Sequence, residues 1–181
     1  MFIQTEQTPN PATLKFIPDH PVLAEGTRYY GSIEDAETSP LAKRLFGFEE
    51  VTAVFLSTDF ISITQTGTDW DDLKSLLLGA VMDHYTSGLP VVEAEAEAND
   101  DEDDDDIVRQ IKDILNEKVR PAVARDGGDI VFHSFEEGII YLHMQGACSG
   151  CPSSSMTLKH GIENLMKFYI PEVLEVRQIE A

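Results

Sequence analysis

The chain has 181 residues, of which 42% are hydrophobic, and its 13 basic and 33 acidic side chains give a formal net charge of −20. An acidic chain without a basic stripe is unsuited to nucleic acid, because neutralisation of phosphate supplies most of that affinity. No segment approaches the run of about 18 apolar residues that spans a membrane, and two cysteines are too few for the disulfide framework of a small secreted protein.

The negative charge is concentrated in one short segment. Residues 93–106 carry ten acidic and no basic side chains, whereas residues 1–92 have a net charge of −8 and residues 107–181 one of −2. Like charges without a core-forming pattern repel and extend a chain. We therefore predict two small domains, 1–92 and 107–181, joined by a flexible acidic linker. A calcium site there is disfavoured, since calcium loops space their carboxylates around a glycine and this run has none.

Residues 1–92 have the pattern of a small α+β domain without an obvious catalytic set. The predicted elements are a strand at 12–17, a short helix at 40–46, a hairpin of strands at 51–57 and 60–65, and a helix from 69 to about 85 that Gly88 ends. The predicted apolar stripe of that last helix is Leu73, Leu76, Leu77, Ala80, Val81 and Tyr85. We expect Trp70, Phe48, Phe55 and Phe60 to be core residues, and His20 and His84 to be surface or loop residues.

Residues 107–181 have the element order α-β-β-α-β. The pattern predicts a helix at 107–119 that Pro121 disrupts, strands at 130–135 and 139–144, a helix at 153–169 and a last strand at 173–179. Asp126 and Asp129 flank two glycines and could form an acid pair. A turn between helix and strand explains them with fewer assumptions.

Both cysteines of the chain, Cys148 and Cys151, lie where the second of these strands gives way to the long helix. The unpaired N–H groups and positive dipole at a helix N-terminus favour thiolate over thiol, and thiolate binds metal or attacks disulfides. The CxxC spacing thus indicates a metal or redox role in a reducing compartment.

The number of ligands leaves several interpretations open. Structural zinc and cubane iron-sulfur clusters want four ligands, and one chain supplies two thiols. A second copy of the chain would complete four thiolates at a twofold axis, whereas His133, His143 or His160 could complete a site within one chain. A dithiol-disulfide oxidoreductase and a zinc-stabilised interaction module are the alternatives from other classes.

Several segments together resemble a known family. Four segments of the second predicted domain resemble successive signatures of the NifU C-terminal domain. They are Arg120-Pro121, Asp126-Gly127-Gly128-Asp129, the stretch from Gly146 to Ser154 and the stretch from Thr157 to Glu163. At the start of the chain, Thr5-Glu6, Thr8-Pro9-Asn10-Pro11 and Leu14-Lys15-Phe16 resemble the opening of the Nfu N-terminal domain.

The resemblance implies an iron-sulfur cluster carrier and not an enzyme. It implies that Cys148 and Cys151 of two subunits hold a 4Fe-4S cluster between them in a homodimer. The cluster would come from an upstream assembly scaffold and pass to apo-proteins, which the N-terminal domain would contact. The start of the chain lacks the features of a signal peptide, so we expect a cytoplasmic protein of bacterial origin, or one of the mitochondrial matrix if a presequence has been removed.

Overall fold

The chain folds into two compact units, residues 1–97 and 98–181, each with its own hydrophobic core. The computed structural model describes residues 1–67, 69–93, 105–149 and 152–179. The two units confirm the prediction of α+β architecture. The domain bounds 1–92 and 107–181 stay predictions, and the predicted linker at 93–106 lies outside the described residues except for its ends at 93, 105 and 106.

The first unit is built on an antiparallel five-stranded sheet of order β1-β2-β5-β4-β3. Its strands are β1 (Ile3–Gln7), β2 (Thr13–Pro18), β3 (Arg28–Tyr30), β4 (Val51–Leu56) and β5 (Ile61–Gln65). The predicted hairpin is confirmed, because β4 pairs with β5 and the Ser57 N–H donates to the Phe60 C=O at 2.9 Å. The sequence does not predict β1 and β3, which are short strands at the two ends of the sheet.

Two helices of the first unit contribute to the same core as the sheet. Helix α1 (Pro40–Leu45) begins after Ser39, whose hydroxyl accepts from the Ala42 N–H at 3.1 Å, and α2 (Asp71–Ser87) ends at Gly88. A 3₁₀ turn, Asp35–Thr38, precedes α1. The predicted stripe on α2 is wrong at Leu76, which is 56% exposed because it lies at the edge of the buried face.

The interpretation of His84 as a surface or loop residue is also wrong. Its side chain is fully buried near the C-terminal end of α2, and within the described residues neither ring nitrogen has a hydrogen-bond partner. Burial lowers the pKa of His84 below its usual value of 6.5, and the charge of Arg44 lowers it further. Backbone groups of Pro90 and Leu89 act in the opposite direction. The imidazole is therefore neutral in the folded unit at neutral pH.

We expect the first unit to lose stability as the pH falls below about 6.5, where the unfolded chain takes up a proton that buried His84 resists. The slope is at most about 1.4 kcal/mol per pH unit for one group and ends at the lower pKa of the folded state. Thermal unfolding between pH 7.5 and 5 measures it. A His84→Leu variant should lose this slope, whereas His20→Gln, on an exposed side chain, should keep it. An unchanged slope in His84→Leu would assign it to another group.

The second unit has the predicted order α-β-β-α-β. It begins with a helical segment made of α3 (Asp106–Ile114), a π-helical turn (Leu115–Val119) and α4 (Arg120–Arg125). The elements that follow are β6 (Gly128–Glu136), β7 (Ile139–Gly146), α5 (Pro152–Tyr169) and β8 (Glu175–Ile179). The sheet order is β6-β7-β8. Strands β6 and β7 pair antiparallel, whereas β7 and β8 pair parallel. Helix α5 is thus the crossover that a parallel pair requires.

The helix predicted at 107–119 corresponds to α3 and the π-helical turn, and Pro121 lies where a new helix, α4, starts. The Arg120 N–H donates to the Leu115 C=O, five residues back, and α4 then starts at Arg120. Pro121 consequently lies in the first turn of α4, where its missing N–H costs no hydrogen bond. None of the helices in the described parts of the chain has the length and apolar character that crossing a membrane requires.

Candidate metal centre

The turn between β7 and α5 carries Cys148, as the sequence predicts. Strand β7 ends at Gly146, whose φ of 65° is a left-handed conformation that favours glycine, and the Ser149 N–H donates back to the Gly146 C=O at 3.0 Å. Helix α5 begins at Pro152. Gly150 and Cys151 lie outside the described residues, so the geometry between the two thiols stays a prediction.

Cys148 packs against the start of β6. Its side chain is 6% exposed and belongs to the core cluster of the second unit. Gly128 pairs with Gly146 at the end of the hairpin, and a Cβ added at Gly128 would lie 2.6 Å from the Cys148 Sγ and 2.7 Å from the Gln145 carbonyl oxygen. The backbone of Gly128 therefore approaches Cys148 so closely that no larger residue fits at position 128.

The loop after α4 lies beside the cysteine turn. The Ala147 N–H donates to the Gly127 C=O at 3.2 Å, and the Gly127 N–H donates to the Ala124 C=O at 3.0 Å. One loop is thereby connected both to the end of α4 and to the residue before Cys148. The turn interpretation of the segment 126–129 agrees with these hydrogen bonds.

Arg120 forms an ion pair with the buried carboxylate of Asp129 next to this loop. Arg120 donates from Nε to Oδ1 at 2.8 Å and from Nη2 to Oδ2 at 2.7 Å, and the Asp129 side chain is only 3% exposed. These hydrogen bonds raise the pKa of the Arg120 guanidinium, although burial acts to lower it. The Ile130 N–H also donates to Asp129 Oδ1 at 2.8 Å. The pair ties α4 to the strand that packs against Cys148.

Arg120 and Asp129 both lie in segments that carry the family resemblance, but their pairing is not evident from the sequence. Nine residues separate them, a spacing that neither a helix nor a strand brings together by itself. Their contact depends on the turn that folds α4 back onto β6. Charged residues of opposite sign on the two sides of a Gly-Gly turn are the signal that could have indicated it.

The candidate histidine ligands lie elsewhere in the second unit. His133 and His143 are neighbours on β6 and β7, with ring centroids 5.2 Å apart, and His160 is exposed on α5. Across the described ranges, no group of three or more His, Cys, Asp and Glu residues is placed to hold a metal ion. Within the described part of one chain, Cys148 thus has no three-ligand metal site around it.

Two family models match successive parts of the chain. The model described as the N terminus of the scaffold protein Nfu/NifU matches residues 3–88, and the NifU-like domain matches residues 111–177. Each match lies within one of the two α+β units. They define a scaffold protein with two domains.

Curated relatives match nearly the whole chain. This chain is 46% identical over 183 residues to the human protein named "NFU1 iron-sulfur cluster scaffold homolog, mitochondrial". It is 49% identical over 184 residues to the Drosophila sechellia protein of the same name. Each match covers 99% of this chain, which spans 72% of the human and 65% of the fly protein. The chain belongs to the Nfu/NifU family of iron-sulfur cluster scaffold proteins.

Several solved structures are similar to parts of the chain. The solution structure of a NifU-like protein from Saccharomyces cerevisiae is 21% identical and has a TM-score of 0.46, covering 52% of this chain and 87% of its own. The family assignment depends on the sequence matches alone.

Proposed function

We propose that this protein holds an iron-sulfur cluster as its cargo and passes it to apo-proteins. The observation that supports this most directly is the position of Cys148, packed against the backbone of Gly128 in the turn between β7 and α5. A thiolate in a fixed turn is a preorganised soft ligand, and soft thiolates suit iron-sulfur clusters and zinc. The names of the relatives favour the cluster.

Two chains would complete the ligand set. A cubane 4Fe-4S cluster takes four cysteine thiolates, and each chain has only Cys148 and Cys151. In a twofold dimer the same turn of both subunits lies at the axis, so each contributes two thiolates to one cluster. The second unit has a net charge of only −2 over residues 107–181, which opposes such a dimer little.

A cluster at a subunit boundary suits delivery better than permanent storage. An acceptor that offers its own thiolates can replace those of the two subunits one at a time, with the iron and sulfide unchanged in oxidation state. The chain acts as a carrier in this step and not as an enzyme. An upstream assembly scaffold supplies the cluster, and apo iron-sulfur proteins receive it.

For location, the relatives support one of the two predicted alternatives. The human and fly proteins are named as mitochondrial. We propose the mitochondrial matrix for this protein as well.

Anaerobic reconstitution with iron and sulfide tests the shared site. We expect about four irons and four sulfides per two chains, with the mass of a dimer, and no cluster in Cys148→Ala or Cys151→Ala. His160→Ala is a matched control, since it removes an exposed candidate ligand of α5 and should load fully.

Each contrary result would overturn a different part of the proposal. A full cluster on a monomer would contradict a site shared by two subunits. A full cluster on both cysteine variants would contradict the assignment of Cys148 and Cys151 as ligands. Zinc without iron would favour the interaction module. A protein that takes up no metal but reduces disulfides would be an oxidoreductase.

A further inference from the structure

Strand β1 directs backbone groups to the outer edge of the first sheet. It is the end strand in the order of the described strands, and the Phe2 C=O accepts from the Asp19 N–H at 2.9 Å. Hydrogen-bonded and non-hydrogen-bonded pairs alternate along an antiparallel ladder. Ile3, opposite Pro18, is therefore a non-hydrogen-bonded position, and so are Thr5 and Gln7. The N–H and C=O groups of these three residues point away from β2.

The side chains of the same residues border a groove. Thr5 and Gln7 lie opposite Phe16 and Leu14, which are core residues, so all four side chains share the face of the sheet on which the core lies. The groove has a volume of about 610 Å³, within the range of ligand sites. The lining residues that matter here are Thr5, Gln7, Pro11, Trp70, Asp71 and Lys74. Backbone hydrogen-bonding groups and a side-chain groove thus occur side by side.

Trp70 gives the groove a fixed aromatic wall. Its indole Nε1 donates to the Pro11 C=O at 3.0 Å, and its side chain is half-buried. An aromatic face of this kind attracts the cationic side chains of lysine and arginine.

The charges around the groove also favour a cation. Asp69, Asp71 and Asp72 are exposed at the start of α2, whereas Lys74 is the basic residue among those that line the groove. Glu6 on β1 is already paired with Lys15, at 3.7 Å. Asp71 and Lys74 give the lining of the groove one charge of each sign, so the excess negative charge near Trp70 comes from Asp69 and Asp72 beside the groove.

We propose that this groove binds an extended segment of a partner protein that carries basic side chains, added as a sixth strand along β1. Backbone hydrogen bonds to Thr5 and Gln7 would supply affinity, and alternate side chains of the segment would enter the groove beside Trp70. This binding surface is on the unit that lacks the cysteines. It goes beyond the proposed carriage of a cluster and does not depend on it.

The full chain can be titrated with the peptide acetyl-Val-Arg-Val-Arg-Val-amide. Trp70 is the single tryptophan, so its fluorescence reports on the groove alone. We expect a saturable change in emission. At saturation, hydrogen exchange of the outward N–H groups of Thr5 and Gln7 should slow at least about tenfold, as one added hydrogen bond allows. Exchange at Gln4 and Glu6, which already bond to β2, should not change.

Two substitutions separate backbone pairing from charge. Thr5→Pro removes an outward N–H that β2 does not use, and we expect it to weaken peptide binding about tenfold. Asp71→Asn should weaken binding about threefold. Asp83→Asn is its matched control, because it makes the same charge change on an exposed residue of the same helix, outside the groove, and should bind normally.

Equal binding of the glutamate version of the peptide, or unslowed exchange at Thr5 and Gln7, would overturn the proposal. The exchange result in the unaltered chain decides the matter if Thr5→Pro fails to fold. A chain with both cysteines replaced by alanine should bind the peptide unchanged, so this test and the iron measurement fail independently.

Discussion

Replacing Gly128 by alanine should abolish cluster loading while leaving both cysteines in the chain. The new Cβ would lie 2.6 Å from the Cys148 Sγ, 2.7 Å from the Gln145 carbonyl oxygen and 3.0 Å from the Cys148 backbone nitrogen. Two of these three atoms belong to the backbone, so a rotamer change cannot relieve the overlap. Either the hairpin end opens or the cysteine turn moves, and the ligand position is lost in both cases.

The same substitution should destabilise the second unit by about 3 kcal/mol, the upper end of the usual cost of overpacking. Iron per chain after anaerobic reconstitution and urea unfolding of the apo protein measure the two effects. Gly161→Ala is the matched control: beyond its chain neighbours and the backbone of its own helix, no heavy atom lies within 4 Å of its added Cβ, and alanine in a helix should gain about 0.5–1 kcal/mol. Full loading of Gly128→Ala would show that the packing of Gly128 does not position Cys148.

Breaking the pair of Arg120 and Asp129 should be costly and unequal for its two members. Arg120→Ala leaves a carboxylate that is 3% exposed without its guanidinium, and we expect a loss of about 3–5 kcal/mol. Asp129→Ala leaves a guanidinium that is 34% exposed and can turn toward water, so about 2 kcal/mol is expected. The order of the two losses is the specific expectation.

Urea unfolding of the apo protein at neutral pH checks this order. Arg125→Ala, on an exposed residue of the same helix, should change the free energy of unfolding by less than about 0.5 kcal/mol. If Asp129→Ala were the more destabilising, hydrogen bonds of its carboxylate to the backbone would outweigh the ion pair.

Elements with a strong local signal can be predicted from this sequence. The hairpin of β4 and β5 follows from two β-rich runs and a two-residue turn, and the corner that holds Cys148 follows from a strand pattern followed by a helical one. Strand β3 has only three residues, too few for a periodic pattern. The role of Cys148 and Cys151 as ligands stays a prediction.

Features that depend on tertiary contacts cannot be predicted from local patterns in the sequence. His84 occurs at a position where periodicity allows burial, but a histidine is ordinarily exposed, and only the packing around α2 shows it in the core. Pro121 ordinarily breaks a helix, but the π-helical turn before it provides a new helix start. Local preference is the wrong guide at His84, because the packing around α2 overrides it, whereas at Pro121 it correctly indicates a change in the helix.

The π-helical turn at Leu115–Val119 also explains a regular spacing in the core. Ile111, Leu115, Val119 and Val123 are all buried, and each follows the last by four residues. In an uninterrupted α-helix such a repeat would drift by about 40° at every step, because 3.6 residues complete one turn. The wider turn takes more residues and so restores the phase. The four side chains therefore stay on the buried side of the helical segment, where they belong to the core of the second unit.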